Sequence, residues 1–123
     1  MSKHVLIVED HHAIQEVLKF SLEMKGYSVS LAEDGLEALA LLENTNPSIM
    51  LLNLNLPRMD GYTLLETLEK QRPDLSLPII IISGDPQAAT RLAHKPFKII
   101  PKPFPFHSLL TIIQETLNVG KET

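Results

Sequence analysis

Cysteine is absent from the 123 residues. No disulfide framework and no thiolate metal site can exist. Basic excess is also absent: 11 Lys and Arg stand against 15 Asp and Glu, a net charge of −4. That balance argues against a dedicated nucleic-acid binder, which presents a basic patch to phosphates. Long hydrophobic runs are missing as well. The first, Val5 to Val8, stops at Glu9-Asp10 and is too short for a signal-peptide core or a membrane span. No glycine-rich loop follows it, as a nucleotide or flavin site would require. Glu9-Asp10-His11-His12 stands there instead and would repel a phosphate unless a metal intervened. There is no internal repeat and no low-complexity segment. The chain reads as one soluble, cytoplasmic domain, residues 1–123.

What is present is enough apolar residue, 44%, to build a core. Short apolar runs alternate with segments of helical period. Val5–Val8, Tyr27–Leu31, Ser48–Leu52, Ile79–Ile82 and Phe97–Ile100 are predicted strands. Helices are predicted over His11–Lys25, from the Asp34 cap to Asn44, over Tyr62–Lys70, after Asp85-Pro86, and from Phe106 through Leu117. Lys25-Gly26 supplies a C-terminal cation and a permissive capping residue. Asp34-Gly35-Leu36-Glu37 fits a capping box. The first helix is expected to bury a face edged by Ala13, Val17 and Ser21 on one side and Ile14, Leu18 and Leu22 on the other. The fourth is weak, with only Ala88, Ala89, Leu92 and Ala93 apolar before Pro96. Gly120 and a polar tail close the chain. Three nearly all-apolar strands imply parallel strands covered on both faces, hence an α/β fold with an open parallel sheet.

In such sheets polar site residues gather beyond the carboxyl ends of the strands. Those positions hold Glu9, Asp10, Asn53, Ser83 and Lys102. Two clustered carboxylates repel each other, and a divalent cation relieves the repulsion. Mg²⁺ suits a few carboxylates, retained waters and a phosphate oxygen. Ser83 offers a hydroxyl and Lys102 a point charge for other phosphoryl oxygens. The set has the parts of phosphoryl transfer except an anionic nucleophile, because Asn53 is an amide. His11 and His12 are adjacent on a predicted helix and point apart, with no partner histidine three or four residues on. They read as a solvated first turn near the site mouth. His4, His94 and His107 lack ligand spacing too. Phe97, Phe104 and Phe106 read as core or interface residues, and Asp60-Gly61 chiefly as a turn.

Four segments carry a family resemblance: Val5-Leu6-Ile7-Val8-Glu9-Asp10; Leu51-Leu52-Asn53 with Pro57 and Met59-Asp60-Gly61; Pro78 to Ser83; and Lys102-Pro103-Phe104. In this order and spacing the chain resembles a response-regulator receiver domain of two-component signalling. The resemblance implies a flavodoxin-like five-stranded sheet of order 2-1-3-4-5 with helices on both faces. It implies a non-enzymatic signalling module acting with a histidine kinase or histidine phosphotransfer protein. A downstream target or homodimer would use the fourth-helix, fifth-strand and fifth-helix face, with no direct nucleic-acid or membrane partner. Position by position, it implies Mg²⁺ at Glu9, Asp10, Asn53 and the Asn55 backbone carbonyl, a switch hydroxyl at Ser83, and a lysine at Lys102 before a cis proline peptide.

Three departures bear on function. Asn53 stands where the family has its phosphoacceptor aspartate, so Mg²⁺ binding should weaken and stable phosphorylation should fail. Ile99 replaces the aromatic switch residue three before the lysine. The stretch from Ser83 to Lys102 is short, so the fourth helix or its following loop must be trimmed. Aligning Lys95-Pro96-Phe97 with the lysine motif instead would leave eleven residues after Ser83 for a helix and a strand, too few for both. Asn53 is either an engineered, nearly isosteric block or the native residue of a phosphorylation-independent interaction module. A small Mg²⁺-dependent phosphatase is the remote alternative, disfavoured because Asn53 and Asn55 supply neither carboxylate of its aspartate pair.

Overall fold

A computed structural model describes residues 3–118. Five strands and five helices alternate: β1 His4–Val8, α1 His12–Met24, β2 Ser28–Ala32, α2 Gly35–Asn44, β3 Ile49–Asn53, α3 Gly61–Gln71, β4 Ile79–Ser83, α4 Ala88–Arg91, β5 Lys98–Pro101 and α5 Phe106–Asn118. The strands form one parallel sheet in the order β2-β1-β3-β4-β5, which is the flavodoxin-like order expected. The predicted close at Gly120 lies outside the described residues. No described helix is long and apolar enough to cross a membrane.

Side chains alternate across the sheet and so feed two cores. Val5, Ile7, Ile49, Leu51, Ile80 and Ile82 pack with Leu18, Leu22, Leu109 and Ile113 of α1 and α5. Leu6, Val8, Met50, Leu52 and Ile81 pack with Ala38, Leu42, Leu64, Leu68, Ala88 and Leu92 of α2, α3 and α4. Phe97, Phe104 and Phe106 pack against these cores. At the amino edge the His4 ring spans Ser28 and Ser30 of β2, 2.7 Å from each hydroxyl.

Two local expectations are corrected, and a third is met with one change of partner. The buried face of α1 is narrower than expected. Ile14, Leu18 and Leu22 turn inward, but Ala13 and Val17 face solvent, as do Phe20 and Met24. The sheet offers α1 a single seam, and a residue on the flank of the helix lies beyond its reach. The fourth helix opens later than Asp85-Pro86 suggested. Asp85 Oδ1 accepts from the Gln87 N–H at 2.9 Å, which forms a turn before the helix and leaves Gln87 as N-cap. With only four residues, α4 is the trimmed element that the short Ser83–Lys102 segment required. In the capping box, Asp34 Oδ1 accepts from the Glu37 N–H at 2.9 Å. The reciprocal carboxylate of Glu37 accepts from Glu33 rather than from the cap residue, at 2.8 Å.

Candidate functional site

The parallel sheet carries the ends of β1, β3, β4 and β5 to one edge, so Glu9, Asn53, Ser83 and Lys102 converge although far apart in sequence. Glu9 prolongs the β1–β2 ladder, its N–H donating to the Ala32 carbonyl at 2.9 Å. The Gln15 amide holds the Glu9 carbonyl from α1. The Lys102 N–H donates to the Ser83 carbonyl at 2.9 Å, and the Lys102–Pro103 peptide is cis, as expected.

Glu9, Asn53 and Ser83 are buried, at 3%, 5% and 5% exposure. A buried carboxylate must be compensated. Glu9 Oε2 receives the His11 N–H at 3.0 Å and Asn53 Nδ2 at 3.4 Å. Lys102 Nζ lies 3.6 Å from Glu9 Oε1. Asn53 Nδ2 also donates to the Asn55 carbonyl at 3.4 Å, and Asn53 Oδ1 accepts from the Asn55 N–H at 3.2 Å. The amide thus supplies donors to Glu9 and to the Asn55 carbonyl, two of the oxygens that could face a cation. Asp10 Oδ1 is shielded from solvent and has no hydrogen-bond partner. An orphaned buried carboxylate oxygen beside a second carboxylate and a backbone carbonyl is a donor set that fits Mg²⁺.

The loop after β3 is fixed by close approach. Asp60 caps α3, accepting from the Thr63 N–H at 2.8 Å. Gly61 does more than permit the turn expected of it. A Cβ there would sit 2.7 Å from Leu54 Cα and 2.9 Å from the Asn53 carbonyl oxygen. Arg58, at φ 59°, reaches back to α2, where its guanidinium grips the Asp34 carboxylate. Burial opposes ionisation of Asp34 most strongly. The Glu37 amide and Arg58 outweigh it and hold this carboxyl below its usual range.

Sequence reasoning missed two groups. Tyr62, Asp85 and Arg91 share a cavity of about 500 Å³ with Asn53, Ser83 and Lys102. The Tyr62 hydroxyl donates to Asp85 Oδ2 at 2.9 Å, and the Asp85 N–H donates to Ser83 Oγ at 2.9 Å. The Arg91 guanidinium lies 3.5 Å above the Tyr62 ring. Burial, then the hydrogen bond to Asp85, raises the Tyr62 hydroxyl above its usual range, against the pull of Arg91. The Gln87 amide first, then Tyr62, holds Asp85 below its own. Nothing in local periodicity marks these three residues as neighbours. The other group is His11. Its ring is exposed, as expected of a solvated first turn near the site mouth, but its Nδ1 also lies 3.3 Å from Glu9 Oε2 and 3.6 Å from Asp10 Oδ1. Its signal was adjacency to the acidic pair, not spacing to another histidine. Lys95, the alternative lysine, bonds Glu69 at 2.8 Å.

Fold and strand-end site define a family. Residues 5–114 match the model of the response regulator receiver domain, and the chain belongs to that family, a signalling module of two-component response regulators. It is 35% identical over 120 residues to response regulator MprA of Mycobacterium sp. (strain KMS), covering 95% of this chain and 51% of that protein. The chain therefore spans about half the length of the curated relatives it matches. A CheY-like receiver domain protein from Methanospirillum hungatei JF-1 superposes with a TM-score of 0.85 at 33% identity, covering 96% of this chain and 95% of the other. The receiver domain of sensor histidine kinase PA1611 from Pseudomonas aeruginosa PAO1, solved with magnesium coordinated in its active-site cleft, gives 0.84 at 26% identity, covering 96% and 99%.

Proposed function

We propose that the chain is a receiver in which Asn53 occupies the phosphoacceptor position, so that it is not stably phosphorylated. The carrying observation is the placement of Asn53. It ends β3 beside Glu9, and its amide donates to Glu9 and to the Asn55 carbonyl. A receiver's aspartate attacks phosphorus with an anionic oxygen. An amide oxygen is neutral, its lone pair shared with nitrogen, and is a poor nucleophile.

Glu9, Asp10, the Asn55 carbonyl and the Asn53 oxygen are the groups we assign to Mg²⁺, which when bound supplies charge neutralisation for a phosphoryl group. Ser83 and Lys102 would bind the remaining phosphoryl oxygens. Cation affinity is weakened twice in this reading. One anionic ligand is missing, and the Asn53 amide competes for two of the oxygens. The partner that fits is a histidine kinase or histidine phosphotransfer protein. Val17, Phe20 and Met24, exposed on α1 at 60%, 66% and 70%, support docking of an apolar partner surface along that helix. A downstream protein or a second copy would engage α4, β5 and α5. As a phosphorylation-independent interaction module, the chain would present this face constitutively.

Acetyl phosphate, and separately beryllium fluoride, each with Mg²⁺, tests the reading by mass spectrometry and fluorine NMR. No adduct is expected on this chain, and labelling is expected on the Asn53→Asp variant. Robust labelling of the chain as it stands, or none on the variant, overturns it.

A further inference from the structure

The cation site holds one donor that the proposed function leaves unused. We propose that His11 is a side-chain ligand of that site, and that it shifts the site's preference from Mg²⁺ toward first-row transition dications that accept mixed oxygen and nitrogen donors. The inference rests on the cation reading above.

Three observations carry it. The first is distance. One carboxylate oxygen each from Glu9 and Asp10 and a ring nitrogen of His11 all lie within 4.8 Å of one another. Nδ1 is 3.3 Å from Glu9 Oε2 and 3.6 Å from Asp10 Oδ1. Ligands held about 2.1 Å from one ion stand roughly 3.0 to 3.5 Å apart in octahedral or tetrahedral geometry, so both separations from the ring nitrogen are close to those of ligands on one ion. The second is that the ring's hydrogen bond, from Nδ1 to Glu9 Oε2 at 3.3 Å, goes to an oxygen that has other donors. Glu9 Oε2 already has the His11 backbone N–H at 3.0 Å and the Asn53 amide at 3.4 Å. Asp10 Oδ1, the other oxygen facing the ring, has no hydrogen-bond partner although shielded from solvent. The third is exposure at fixed anchorage. The ring is 69% exposed, but its backbone is held in place as the N-cap of α1.

The chemistry gives the direction. Mg²⁺ binds hard oxygen and gains little from imidazole, whereas Co²⁺, Ni²⁺ and Zn²⁺ bind imidazole well. An amide at position 53 lowers the number of anionic oxygens, and His11 adds nitrogen. Both changes act against Mg²⁺ relative to a transition dication.

The test is calorimetric titration of the intact chain with Mg²⁺ and with Co²⁺, alongside Co²⁺ absorption and the paramagnetic shift of the His11 ring. His11→Ala should lower Co²⁺ affinity at least about tenfold, the lower end of what losing even a supporting partner costs a metal site. It should leave Mg²⁺ affinity within about twofold of the parent, because water replaces the ring for a hard ion. His12→Ala is the control, because His12 faces Glu33 at 3.1 Å, and it should change neither affinity. Co²⁺ binding that is lost in Asp10→Asn but unchanged in His11→Ala overturns the role of His11 while leaving the cation site standing. Binding of either ion that is indifferent to Asp10→Asn overturns the cation reading itself, and this inference with it.

Discussion

The Asn53→Asp variant should be less stable than the parent without metal and should recover the loss when Mg²⁺ is added. The substitution deletes two donors, to Glu9 Oε2 and to the Asn55 carbonyl, both at 3.4 Å, and puts a carboxylate oxygen in their place. At the 3.4 Å now separating Asn53 Nδ2 from Glu9 Oε2, two negative charges repel by about 5 kcal/mol at an effective dielectric of about 20. Two processes reduce this. Lys102, 3.6 Å from Glu9, can be shared between the carboxylates. One carboxyl can also take up a proton, at a cost of about 1.4 kcal/mol for each tenfold by which its proton affinity must rise. The net loss should be about 1–3 kcal/mol, which lowers the urea midpoint by roughly 1 M at the usual slopes. A cation relieves the repulsion, and a ligand at about 100 times its Kd adds about 2.7 kcal/mol to the state that binds it. Urea denaturation of parent and variant at pH 7, in EDTA and in excess Mg²⁺, measures both effects. A variant as stable as the parent in EDTA, or equal gains from Mg²⁺ in both proteins, would refute the reasoning.

Two further outcomes follow from the packing. Gly61→Ala places a methyl 2.7 Å from Leu54 Cα and 2.9 Å from the Asn53 carbonyl oxygen; backbone cannot swing aside, so a loss of about 2–3 kcal/mol is expected, and an unchanged denaturation midpoint would show that α3 moves freely. The Asp34 carboxyl is held below its usual range, so its ionisation stabilises the fold above the unfolded value of about 3.9, and that contribution fades as pH falls through the lower folded value. The stability advantage of the parent over Asp34→Asn should therefore be full at pH 6 and shrink toward zero in strong acid, whereas an advantage independent of pH would exclude the ionic role.

The strand-end residues were legible in sequence because the fold rule that places them is simple. Strands of one direction end on one edge of a sheet, so whatever follows each apolar run meets there. Glu9, Asn53, Ser83 and Lys102 do meet. Local chemistry was legible too, as in the Asp34 and Asp60 caps. Boundaries drifted by a residue or two, and α4 shrank because Asp85 bonds its own turn and Tyr62 instead of opening a helix.

By itself, then, the sequence determined the order of elements, the two-sided apolar sheet, the family and the amide at position 53. Each of these is a property of neighbouring residues or of repeating pattern. Only the tertiary structure decided that Val17 and Phe20 face outward, that Gly61 is wedged against β3, that Arg58 grips Asp34, and that Tyr62, Asp85 and Arg91 run from the Ser83 hydroxyl to α4. These are distances between segments remote in sequence, set by how helices seat on the sheet and how loops close, and no local period encodes them. His11 lies between the two cases: its neighbours in sequence named the carboxylates, but only the path of the chain into α1 brought its ring back over them.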